Sequence, residues 1–205
     1  MKKIRFLLFS DLHADRDKCK NIVKKAKHAD IVIGAGDYAL FRKHLTKILS
    51  FLSGITAPTI LVHGNHETNS ELVAACRKYN NFHVLHGNTI TLNNLCFAGL
   101  GAGVPCTPFG EWSVDLSEKQ AYALLPDIQT KYIFISHSPP YSYLDQLANG
   151  QHLGSKTILN YIKESKPEFA VCGHIHEHSG KCETIGNIPI INAGPDGYLY
   201  DYELQ

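Results

Sequence analysis

Five short segments of this chain carry side chains able to bind metal ions or move protons. They are Asp11 with His13, Asp37 after Gly36, the run Gly64-Asn65-His66-Glu67, His137, and His174 with His176 after Gly173. Each follows an apolar run of strand character, and the ends of strands are where sites form in α/β sheets. A single histidine is more often a packed or surface residue than a ligand, so no one segment is decisive. Together they would need five coincidences of ligand-type residues at strand ends, and they read as one converging site. In extended backbone alternate side chains point the same way, so Asp11 and His13 are expected on one side with Leu12 facing the core. Ile175 should separate His174 from His176 in the same manner. The glycines before Asp37, Asn65 and His174 permit tight turns and close approach of neighbouring backbone.

The elements that must position these residues are legible in the hydrophobic pattern. Residues 3–9 read as a buried strand, 17–29 as a helix, 31–33 as a strand, 41–52 as a helix and 59–62 as a third strand. Thr68 with Glu71 and Ser117 with Gln120 form capping-box patterns, the second opening a helix that Pro126 closes. Short β runs at 82–85, 89–92 and 95–98 are split by Gly87-Asn88 and Asn93-Asn94 turns, where the pairing is expected to become antiparallel. Strand 131–136 precedes a loop rich in Pro, Tyr and Gly, then a helix with Ser155 as N-cap and Pro167 beyond its end. Strands at 168–172, 181–185, 188–192 and 198–202 complete about ten. The β-α alternation favours parallel, doubly wound pairing, and the strand count suits two packed sheets with helices outside.

Composition bounds the function. At 205 residues and 44% hydrophobic, the chain can close one sizeable core, and a single domain over 1–205 is expected. A net charge of +1 with dispersed Lys and Arg argues against a long polyanionic partner. The six cysteines form no C-x-x-C pair and read as reduced thiols, Cys172 among them as a buried strand residue. The run from Met1 to Phe9 is interrupted by Arg5 and has no small-residue cleavage site, so it reads as a strand and not a signal peptide. No stretch approaches a membrane span, and the cytoplasm is the expected location.

The ordered pattern D-x-H, G-D, G-N-H-[DE], H and G-H-x-H, matched from Asp11 to His176, resembles the calcineurin-like metallophosphoesterase superfamily, with the likeness extending over residues 4–203. That resemblance implies a four-layer α/β/β/α sandwich of two mixed β-sheets flanked by helices. It implies one metal held by Asp11, His13, Asp37 and His176, and a second held by Asp37, Asn65, His137 and His174. Asp37 would bridge the two ions, about 3.5–4 Å apart, around a shared hydroxide that attacks phosphorus in line. His66 is then the non-ligand histidine that binds phosphoryl oxygens or protonates the leaving group. Mixed imidazole and oxygen ligation favours two divalent transition-metal ions, with manganese, iron or zinc first in line.

The implied activity is hydrolysis of a small phosphodiester or phosphomonoester, with diesters slightly favoured. Ser136-His137-Ser138-Pro139-Pro140, Gly154-Ser155 and Asn192-Ala193-Gly194-Pro195 are similar to small, cap-free members of the metallophosphoesterase-domain-containing subgroup. In that reading the loop 138–153 overhangs the site, with Tyr141, Tyr143 or His152 touching substrate or else simply packing. Arg16 or Arg42 could clamp a phosphate, whereas His28, His44, His63, His83, His86 and His178 are read as surface or packing residues. The alternative function is a catalytically silent binding scaffold with the same fold, which retention of His66 and of all seven ligand positions argues against. A nuclease would want a positive face that this chain lacks. Oligomeric state, substrate and native metal are not encoded in these motifs.

Overall fold

A computed structural model describes residues 3–204; Met1 and Lys2, part of the expected first run, lie outside the described residues, as does Gln205. The chain forms β1 (Lys3–Phe9), α1 (Arg16–Ala26), β2 (Ile31–Ala35), α2 (Leu45–Leu52), β3 (Thr59–Val62), α3 (Asn69–Cys76), β4 (Phe82–Val84), β5 (Asn88–Leu92) and β6 (Leu95–Leu100). There follow α4 (Glu118–Leu124), β7 (Tyr132–Ser136), α5 (Lys156–Ser165), β8 (Phe169–Cys172), a 3₁₀ turn His176–His178, β9 (Cys182–Ile185), β10 (Ile188–Asn192) and β11 (Tyr198–Glu203). Two mixed sheets result, ordered β11-β1-β2-β3-β4 and β5-β6-β7-β8-β10-β9. The four-layer architecture implied by the sequence resemblance is the one observed.

β1 shows how the layers arise. Its side chains are apolar almost continuously because both faces of the sheet are covered. Leu7 and Phe9 pack outward with Ile22 of α1 and with Ile48, Leu49 and Leu52 of α2. Ile4, Phe6 and Leu8 point the other way, into the layer shared with Phe97, Ile133, Ile135, Phe169 and Val171 of the second sheet. The outer face of the second sheet is covered by Ala121 of α4 and by Ile158 and Ile162 of α5. Burial of apolar surface on both faces of both sheets is the main stabilising term.

Two expectations are corrected. The helix expected from 41 begins only at Leu45, because Phe41, Arg42 and His44 adopt left-handed φ of 47°, 64° and 71° and form a turn. Antiparallel pairing of successive strands does not begin at residue 82: β4 runs parallel to β3, and the first antiparallel hairpin is β5 with β6. Hydrophobic alternation specifies which face a strand buries but not the direction of its partner. Both capping boxes form, at Thr68–Glu71 and Ser117–Gln120.

Candidate functional site

The carboxy-terminal ends of β1, β2, β3, β7 and β8 meet along one edge of the sandwich and bring Asp11, His13, Asp37, Asn65, His66, His137, His174 and His176 together. Asp37 is central. Its Oδ2 lies 3.7 Å from His13 Nε2, 3.5 Å from His137 Nε2 and 3.8 Å from His66 Nε2. On one side His13 Nε2 and His176 Nε2 are 3.0 Å apart, with Asp11 Oδ1 at 3.6 Å from His176 Nε2. On the other, His137 Nε2 lies 3.1 Å from Asn65 Oδ1 and 3.1 Å from His174 Nδ1. Asp11, His13 and His176 thus form one compact triad, and Asp37, His137 and His174 another.

Orientation of these atoms is set by bonds pointing away from the cluster. His137 Nδ1–H donates to the Ala35 carbonyl at 2.7 Å, which leaves the Nε2 lone pair facing Asp37 and Asn65. Asn65 Nδ2–H donates to Ser113 Oγ, which turns Oδ1 inward. Lone pairs therefore face lone pairs, an arrangement that repels itself unless a cation or a proton lies between them. The donor set fits a divalent transition metal. Burial works against a charge on Asp37, yet His137, His66 and His13 around it hold its carboxyl far below the usual range. His137 is likewise opposed by burial but lifted to about 9 by Asp37 and Asp11, while burial and His137 push His174 down to about 4.

Around Asp11–His13 and His174–His176 the local backbone is not the extended one expected, and at Asp37 it forms the tight turn that Gly36 permits. Asp11, His13, Asp37 and His174 have left-handed φ of 56°, 45°, 57° and 68°, and His176 opens the 3₁₀ turn. Such conformations persist in non-glycine residues only where surroundings over-determine them. Leu12 and Ile175 are nonetheless buried, so the polar residues and the core residues separate as anticipated, through turns and not pleating. Loop approach is very close: a Cβ on Gly64 would sit 2.0 Å from Asp37 Oδ1, and one on Gly173 2.6 Å from Asp11 Oδ2.

Glu67, to which no role was assigned from the sequence, is fully buried and ties two of these turns together. Its Oε1 accepts from the amides of Asp37 and Gly64 at 2.9 and 2.8 Å, and its Oε2 from the Ala39 amide at 2.8 Å. His63 supports the same turn, Nδ1–H donating to the carbonyls of Gly64 and Glu67. The only advance signal for Glu67 was its place in the G-N-H-E run.

Other candidates fall elsewhere. Arg16 lies over the Phe51 ring, and Arg42 is paired with Glu71 at 2.8 Å. In loop 138–153 Tyr143 packs into the outer core and Tyr141 lies between His152 and Lys156. The loop is folded on buried Asp145, which accepts from His152 Nδ1–H and from the amides of Ser142 and Gly154. Cys172 is buried in β8. The aromatic rings that touch the site are Phe41 and Trp112, whose centroids lie 5.2 and 4.6 Å from that of His66, and neither stood out in the sequence.

Two mixed sheets with carboxylates, an amide and imidazoles gathered at their strand ends define a metal-dependent phosphoester hydrolase class. The chain belongs to the calcineurin-like phosphoesterase family, whose sequence profile matches residues 4–178. The uncharacterized protein MJ1162 of Methanocaldococcus jannaschii is 30% identical over 215 positions, spanning 98% of this chain and 93% of its own. In fold, the chain is similar to TT1561 of Thermus thermophilus, with TM-score 0.77 and 17% identity over 94% of this chain and 90% of that one. It is also similar to the phosphopantetheinyl hydrolase PptH of Mycobacterium tuberculosis, with TM-score 0.63 and 14% identity over 92% and 88%. Among the described residues no helix is long and apolar enough to cross a membrane.

Proposed function

We propose that this protein hydrolyses a small phosphoester, preferentially a diester, in the cytoplasm, with two divalent transition-metal ions at the strand-end cluster. Asp11, His13, Asp37 and His176 would hold one ion and Asp37, Asn65, His137 and His174 the other. The observation that carries this reading is the position of Asp37 Oδ2, 3.7 Å from a nitrogen of the first set and 3.5 Å from one of the second. Such ions, when bound, supply Lewis acidity toward phosphoryl oxygens and lower the pKa of water.

The chain's own contributions follow from its hydrogen bonds. Asp37 commits Oδ1 to the His66 amide at 2.9 Å and keeps Oδ2 free for the cluster. The Ser10 hydroxyl and the His174 amide donate to Asp11, which fixes its carboxylate plane. His66 accepts the Phe41 amide on Nδ1 at 2.9 Å, so its proton resides on Nε2, the atom directed toward Asp37. That N–H is placed to donate to a phosphoryl or leaving-group oxygen as negative charge gathers on it.

Elemental analysis and a phosphoester panel with several metals test the proposal together. Two ions per chain and activity lost on chelation are expected, with Asp37→Ala losing both metal and turnover. Occupancy of one ion at saturation would refute the two-metal site. Comparable rates on bis-aryl diesters and aryl monoesters would remove the diester preference.

A further inference from the structure

Three aromatic side chains stand at the edge of this cluster without serving the core. Phe41 is 52% exposed and Phe109 50% exposed, an unusual state for rings this large. Trp112 lies between them, 4.8 Å from Phe41 edge-on and 5.5 Å from Phe109 in a stacked arrangement. Phe41 and Trp112 both pack against His66, so the platform is continuous with the proposed phosphoryl site.

The platform is built onto the site by backbone and side-chain ties. Phe41 donates its amide to His66 Nδ1, and the Arg42 amide donates to the His66 carbonyl at 3.0 Å. Val114 donates its amide to the Asn65 carbonyl at 2.9 Å, and Ser113 accepts from the Asn65 side chain, which anchors the loop carrying Trp112. Thr107 and Ser113 both bond to Asp115, closing that loop on itself. Phe41 is held in a left-handed conformation that a bulky side chain rarely adopts, while half its surface remains in water. Core packing does not account for such placement. Exposed rings held beside polar chemistry are suited to stacking on a flat ligand, because the ring quadrupole favours offset or edge contacts with another π-system.

Resting on the phosphoesterase reading, we propose that Phe41, Trp112 and Phe109 form a stacking subsite that selects phosphoesters whose organic group carries a planar aromatic ring. Such stacking is worth about 5- to 150-fold in affinity per ring.

Trp112 is the chain's only tryptophan, so its emission reports on the platform directly. Benzylphosphonate and butylphosphonate, which cannot be hydrolysed, would be titrated into the zinc-loaded protein. The expected result is a change in Trp112 emission and at least about 5-fold tighter binding for the benzyl compound. Replacement Phe109→Ala, on a ring that does not touch His66, should move the affinity ratio toward one. Equal affinities in the wild type, or a ratio unmoved by both Phe109→Ala and Phe41→Ala, would overturn the proposal. A parallel comparison of 2-phenylethyl and butyl phosphoesters, matched in leaving-group basicity, should give the same preference in kcat/KM. Failure of the protein to hydrolyse either ester with any metal would refute the hydrolase reading, while the phosphonate titration would still decide the stacking subsite.

Discussion

His66 has its ring nitrogens committed in opposite directions. Nδ1 accepts the Phe41 amide, and a nitrogen that accepts cannot also carry a proton, so the ring is held as the Nε2–H tautomer. Burial adds to this by lowering its pKa. In the proposed mechanism the residue is then a neutral donor. Loss of one such donor typically costs about 10²–10³ in kcat, so His66→Leu should fall in that range with metal content near wild type. Alkyl esters should lose more than nitrophenyl esters, since charge on a basic leaving oxygen draws most on the bond. Equal losses would place the contact on a non-leaving phosphoryl oxygen. His63, three residues earlier, illustrates the opposite use of imidazole. Burial and neighbouring His86 push its pKa from 6.5 down to about 4, so the unfolded chain takes up a proton that the native state refuses. Its contribution, on the order of 3 kcal/mol, is intact above about pH 6.5 and is lost as pH falls toward 4. Urea unfolding in chelator should show this decline, and His63→Leu should make it shallower; an unchanged slope would assign it to other groups.

At the scale of elements, the turns after β2 and β3 act as one unit because Glu67 accepts three amides from them. Glutamine can preserve the two bonds to Oε1 but must face the Ala39 amide with its own NH₂. A buried donor left unpaired costs about 1–3 kcal/mol, so Glu67→Gln should lower the unfolding free energy by that amount. It should also weaken metal binding, as the Asp37 turn loses an anchor. Stability equal to wild type would mean that the turns hold without this carboxylate. The helices opening after capping boxes are more conventional: their ends were readable because a Ser or Thr three residues before Glu or Gln satisfies free amides locally.

At the scale of the molecule, the cluster exists only where the two sheets are docked. Asp11, Asp37 and Asn65 come from the first sheet's strand ends, His137 and His174 from the second's. Phe6 lies in the layer between, fully buried, with ring centroids 5.3 Å from Phe169 and 6.4 Å from Phe97. Removing such a ring typically costs about 3–5 kcal/mol, so Phe6→Ala should destabilise the protein by that amount, measured by thermal or urea unfolding. Metal affinity should fall along with it, since one half of the proposed ligands is positioned against the other through this layer. An affinity equal to wild type in the folded variant would show that the loops alone set the site.

The sequence by itself determined which segments carry ligand-type side chains, which runs become strands and where the capped helices begin. These are local properties: side-chain chemistry, hydrophobic period and cap spacing are legible within a few residues. Tertiary structure decided what depends on distant partners. His137 Nδ1–H is oriented by the Ala35 carbonyl, 102 residues away. The left-handed turns at Asp11, His13 and His174, where pleated alternation was expected, are imposed by the neighbouring loops that press against them, as is the turn at Asp37 that its preceding glycine had announced. The same holds for the aromatics: Tyr141 and Tyr143 lay near His137 in sequence and pack against the outer core, His152 and Lys156, whereas Phe41 and Trp112 reach His66. Only converging loops place rings from positions 41 and 112 on one histidine, because their approach is fixed by the bonds of Asn65 and His66 and not by anything within either segment.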